Sequence, residues 1–145
     1  MSIMEKYIHV RSSDSDAYFS DNEVYSFKVH LSLPLTLRGF WKVALTEFYA
    51  SHVVKVKHNI DFLYIYSDLC KESIVHGYEQ PLLRRLSKNT DQGWEYNLES
   101  PYYLPVKKNE VREFQVYIKL GTGEFATDLI QPLHLTLHLK QYPFL

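Results

Sequence analysis

The sequence predicts an all-β fold, a sandwich of two packed antiparallel sheets with about eight strands. Three observations carry this. Near the C-terminus two runs alternate strictly: Phe114, Val116, Ile118 and Leu120 oppose Glu113, Gln115, Tyr117 and Lys119, and Leu133, Leu135, Leu137 and Leu139 oppose His134, Thr136, His138 and Lys140. Successive Cβ atoms leave opposite sides of a strand, so a period of two marks one buried face. Aromatic residues make up 15% of the chain, with 12 Tyr and 8 Phe, a composition that suits strands and excludes disorder. Turn signals recur at the spacing of a sandwich, and no helix-period segment exceeds two turns.

The elements follow in order. Residues 5–11 read as a short strand, with Tyr7, His9 and Arg11 opposite Lys6, Ile8 and Val10. SSDSDAYFSDNE (12–23) reads as an exposed loop. In residues 24–32, Tyr25, Phe27, Val29 and Leu31 oppose Ser26, Lys28, His30 and Ser32. LPLTLRGF (33–40) carries Pro34 and Gly39 and reads as a connection. Residues 40–50 place Trp41, Val43 and Leu45 on one side and Lys42, Ala44 and Thr46 on the other. Phe40 and Phe48 fall on that second side, so the outer face is expected to expose aromatics. Residues 52–60 read as a basic loop with a short extended piece, and 62–66 as an aromatic strand. Mixed polarity around Gly77 precedes an extended QPLLRRLS (80–87). NTDQGW (89–94) is a turn signal, and 95–106, holding Pro101 and Pro105, fits an edge or loop-like strand. GTGEFATDLIQP (121–132) joins the two C-terminal runs, with Gly121 and Gly123 free to take positive φ.

The 145 residues suffice for one domain, expected over 1–145, with a strand and loop in 1–23. A net charge of −1 supplies no global basic field. Cys70 is the single cysteine, so no intrachain disulfide forms and a reducing compartment is expected. No apolar run reaches membrane-spanning length.

Candidate chemistry is sparse. Seven His invite a metal search, yet His134 and His138 on one strand stand roughly 13 Å apart, and no H-x-H occurs. Both are read as solvent-facing, with no metal and no cofactor. GTGE lacks the G-K-[ST] ending of a phosphate loop and reads as a turn. No nucleophile elbow is present, so no catalytic residue is assigned. Cys70 reads as a half-buried strand-end thiol. Two basic spots, Arg84-Arg85 with Lys88 and Lys107-Lys108, lie near Tyr102 and Tyr103, residue types that anchor interfaces. Binding or assembly is favoured over turnover.

PLTLRGFWKVALTEF (34–48), FLYIYSDL (62–69), PLLRRL (81–86), SPYYLPVKKNE (100–110), LGTGE (120–124) and LTLHLK (135–140) stand in an order that resembles the penton-type minor capsid proteins of polintons, also called Mavericks, and of the related adintoviruses. The resemblance spans residues 24–140. It implies a single jelly roll that forms homopentamers at the fivefold vertices of an icosahedral virion, assembled in the cytosol or nucleus of a host cell. A double-jelly-roll major capsid protein is the implied partner, with room for non-specific genome contact and none for a membrane. Relatives often end their last strand in a short basic tail, whereas this chain stops at QYPFL.

A ring of five needs flanks that associate head to tail. The candidate interface residues are Phe40, Phe48, Arg84, Arg85, Tyr102 and Tyr103, which break the inside-outside pattern or sit where edge strands belong. The alternative is a ligand-binding jelly roll for glycan or nucleic acid, without catalysis.

Overall fold

The computed structural model describes residues 4–51 and 61–142. They form eleven strands: β1 (Glu5–Arg11), β2 (Ser26–Thr36), β3 (Phe40–Ser51), β4 (Phe62–Ser67), β5 (Ser73–Val75), β6 (Tyr78–Gln80), β7 (Leu82–Ser87), β8 (Gly93–Asn97), β9 (Leu104–Pro105), β10 (Glu110–Lys119) and β11 (His134–Tyr142). All strand pairs are antiparallel. One sheet has the order β1-β11-β3-β8, with β9 also on β3, and the other has β2-β10-β4-β7. A β5-β6 hairpin stands apart, turning at His76 and Gly77 with φ of 50° and 88°. Two successive positive φ values define the turn whose twist matches a tight hairpin. The protein is an all-β sandwich, as the alternation predicts. The expected basic loop at 52–60 lies outside the described residues.

The core lies between the sheets. Phe27 and Val29 of β2, Val43 and Leu45 of β3, Leu63 and Ile65 of β4, and Val116 and Ile118 of β10 meet Leu135, Leu137 and Leu139 of β11. Trp94 of β8 closes one flank, donating Nε1–H to the carbonyl of Leu86 at 3.2 Å. On β1, Ile8 and Val10 turn inward and Tyr7 and His9 outward.

Two expectations are corrected. Phe48 is 1% exposed and belongs to the core. Thr136 pairs with Glu47 but Leu137 pairs with Leu45, so Thr46 is an extra residue on β3. This bulge resets the alternation. Trp41, Val43 and Leu45 face inward before it, Phe48 and Ala50 after it. Second, LPLTLRGF is not all connection, because β2 continues to Thr36. It does so through an irregularity: Leu35 pairs with Val111 and His30 with Glu113, leaving residues 31–34 against Arg112 alone. The excess bows outward at this sheet edge and leaves Leu33 78% exposed. The 12–23 loop is largely exposed, as expected, and is anchored by two buried serines. Ser15 Oγ accepts the His30 amide and Ser12 Oγ accepts the Leu133 amide.

Gly93 opens β8 at φ 152°. A Cβ there would fall on the carbonyl oxygen of Ala50 and within 2.9 Å of Ser51 Cα, so only glycine lets β8 approach β3.

Candidate interface on the outer sheet face

The outward face of the β1-β11-β3-β8 sheet is built in rows set by strand register. Tyr142 pairs with Phe40, Lys140 lies between Glu5 and Lys42, and His138 lies between Tyr7 and Ala44. Thr136 then lies between His9 and Glu47, which faces Asn97, and His134 lies between Arg11 and Tyr49, which faces Glu95.

At the centre, His138 is 6% exposed, contrary to the solvent-facing expectation, whereas His134 is exposed as expected. The Tyr7 ring stacks on His138 at 4.4 Å. Tyr103 Oη lies 2.8 Å from His138 Nδ1, and Glu5 Oε2 lies 2.9 Å from Nε2. With a neutral imidazole, every group is satisfied when Tyr103 donates to Nδ1 and Nε2–H donates to Glu5. Leu104 pairs with Val43, which sets Tyr103 beside Ala44. Ala44 is fully buried, and its methyl leaves the space in which the phenol reaches β11.

Carboxylate, imidazole and hydroxyl stand in the order of a nucleophile triad. The hydroxyl here is a tyrosine phenol, where a hydrolase triad has the alcohol of serine. Burial first, then the nearby Tyr142 and Tyr7 phenols and the Glu5 carboxylate, push the Tyr103 phenol above its ordinary value. The arrangement serves as a polar tie that joins β1, β11 and the segment leading into β9 across β3.

Either side of this tie the face differs in charge. At one end Lys42 lies 4.8 Å from the Tyr142 ring and 5.9 Å from Phe40, and Lys140 lies 5.8 Å from Tyr142. Like charges directly opposite on a sheet repel. Among the described residues neither lysine has an ion pair, because the Glu5 carboxylate is turned to His138. At the other end Glu47, Tyr49, Glu95, Asn97 and His134 line a shallow groove of about 470 Å³.

The predicted interface residues do not form one patch. Phe40 is half-buried beside Tyr142, and Tyr102 is 58% exposed. Tyr103 is committed to His138, and Phe48 is inside. Arg84 and Arg85 diverge: Arg84 Nη1 donates to the Ser100 carbonyl at 3.1 Å, while Arg85 lies 4.9 Å over the Phe62 ring. Adjacent strand residues point to opposite faces, so a joint basic spot was excluded by the same periodicity that found the strand. Of the second basic spot, Lys107 pairs with Glu72 at 2.6 Å.

The other outer face is aromatic and largely self-covered. Tyr66 and Tyr117 stack at 5.0 Å, Val75 of the hairpin packs on Tyr64 and Tyr66, and Lys119 lies within 5.9 Å of the Tyr66, Tyr117 and Phe125 rings. Cys70 is fully buried rather than half-buried, and burial pushes its thiol up to about 12, so it is inert as a nucleophile.

Sequence reading missed the tie. The available signal was Ala44, a lone small residue on the outward side of a strand otherwise lined by large ones. Among the described residues no group of three or more His, Cys, Asp or Glu is placed to hold a metal, and no helix is long and apolar enough to cross a membrane. No known protein-family model and no curated protein matches the chain.

Proposed function

We propose that the chain is a single-jelly-roll capsid protein of the penton type, forming rings of five at the vertices of an icosahedral shell whose faces a double-jelly-roll protein fills. The observation that carries this reading is strand connectivity. Along the chain the eight long strands visit the two sheets in the sequence β1, then β2, β3, β4, β7, β8, β10 and β11, with β1-β11-β3-β8 in one sheet and β2-β10-β4-β7 in the other. First and last strands are neighbours, and the two middle strands of each sheet come from opposite halves of the chain. This is the order produced when a long antiparallel hairpin rolls up into a jelly roll. The motifs resembling the penton proteins fall on β3, β4, β7, β9 and β11, on the segments flanking them and on the turn after β10, so the resemblance is spread through the framework.

The flanks available for a ring are β1 with β2 on one side and β7 with β8 on the other. Each sheet edge leaves unpaired backbone groups, and head-to-tail contact covers them in every copy. The bowed segment with Leu33 and Pro34 lies on the first flank, where these two replace Phe48 and Tyr103 as candidates, while Arg84 and Tyr102 remain candidates on the second. Native mass spectrometry, and electron microscopy of particles co-expressed with a double-jelly-roll protein, test the reading. Pentamers, free or at vertices, are expected; a chain excluded from shells and never in fives would overturn it.

A second reading, a glycan-binding jelly roll, draws on the groove lined by Tyr49, Glu47, Glu95 and Asn97, since an aromatic platform beside carboxylate and amide acceptors suits a sugar. Glycan-array binding by a monomer, lost in Tyr49→Ala, would favour it.

A further inference from the structure

The outward residues of β3 read Phe40, Lys42, Ala44, Glu47, Tyr49: aromatic, cation, alanine, anion, aromatic. The bulge at Thr46 makes the series symmetric about Ala44, because it turns Glu47 rather than Thr46 into the register position opposite Thr136. On β11 the outward series Tyr142, Lys140, His138, Thr136, His134 runs from aromatic and cationic to polar and imidazole, again centred on the Ala44 row. We propose that this face docks a second copy of the same chain about a two-fold axis that lies over Ala44 at right angles to the strands.

Such an axis lays each β3 antiparallel over its mate. Lys42 of one copy then meets Glu47 of the other, Phe40 meets Tyr49, and Tyr142 meets His134, each contact occurring twice. Charge complementarity selects this occupant. Lys42 and Lys140 have no carboxylate partner within their own chain, and neither Glu47 nor Glu95 has a cationic one, among the described residues. The shape agrees: the groove at the acidic end lies where the partly exposed Phe40 and Lys42 of the second copy would enter. At the centre stand Tyr7, 55% exposed, and Tyr103, the rigid aromatic type enriched in interface cores. The tie to Glu5 holds these rings in place before association, so little order is lost on docking. Four strands by the nine residues of β11 give a footprint of roughly 600 Å², at the low end for specific pairs, so a dimer of about micromolar affinity is expected. The contact does not rest on the capsid reading, since a ring engages the flanks and this contact a sheet face.

Charge exchange tests it. In Lys42→Glu, two glutamates face two glutamates across the axis; in Glu47→Lys, two lysines face two lysines. Sedimentation of each variant alone at low salt should show dimerisation weakened roughly tenfold or more. An equimolar mixture should restore association, because each variant then supplies what the other lacks, and that recovery also proves both variants folded. Wild-type dimerisation should weaken with added salt. The proposal is overturned if the wild type stays monomeric up to roughly 100 μM, if either variant dimerises like wild type, or if the mixture does not recover. It is also overturned if the monomer instead binds oligo(dT) or polyglutamate through Lys42 and Lys140. Masses in fives that ignore these substitutions would uphold the ring and sink the two-fold contact.

Discussion

Tyr103 and His138, 35 residues apart, meet across the outer sheet face through an Oη–Nδ1 hydrogen bond of 2.8 Å that passes beside the methyl of Ala44. The imidazole is buried, so its nitrogens depend on protein partners. Nothing about either residue's local sequence marks the pairing. It arises because β9 and β11 both pair with β3, from opposite sides.

Tyr103→Phe keeps the ring and removes the donor. The buried Nδ1 is left without a partner, which should cost about 1–3 kcal/mol in urea denaturation. The neighbouring Tyr102, 58% exposed, serves as control, and Tyr102→Phe should change stability by less than about 0.5 kcal/mol. Equal effects would show that the bond contributes nothing.

Phe48 and Phe40 test the bulge. Phe48→Ala should cost about 3–5 kcal/mol, as for other buried aromatics. Phe40→Ala, at the half-buried outer corner, should cost well under half as much. Comparable losses at the two positions would mean that Phe48 does not point into the core.

The Tyr66–Tyr117 pair sets an alkaline limit. Burial first, then the neighbouring phenol (Tyr64 for Tyr66, Tyr66 for Tyr117), raises both pKa values above the ordinary 10.0. A raised folded-state pKa gives stability that is complete below the unfolded value and is lost as pH rises through the folded one. Wild-type stability should therefore fall as pH rises past the ordinary phenol value of 10.0. The double variant Tyr66→Phe, Tyr117→Phe should fall less over the same range, with the buried Cys70 thiol, pushed up to about 12, and Tyr103 supplying a remainder. Parallel declines in the two proteins would refute the assignment.

The alternating runs were legible because burial of one strand face is written into successive residues. Val116, Ile118, Leu135 and Leu137, read as core from spacing alone, are all buried. The same rule misplaced Phe48, since a single extra residue at Thr46 inverts every position after it. It also treated His134 and His138 alike, although one is exposed and the other lies under Tyr7. Covering a strand's outward face is the work of other segments, here β1 and the residues leading into β9.

By itself the sequence determined that the chain is all-β, where most strands run, and which side of β2, β10 and β11 faces the core, because side-chain alternation is a local property of extended backbone. Tertiary structure decided the register, the bulge that turns Phe48 inward, the separation of Arg84 from Arg85 into different contacts, and the polar tie of Glu5, His138 and Tyr103. These depend on hydrogen bonds between strands distant in the chain, where a shift of one residue exchanges inside for outside, and no local pattern encodes that shift.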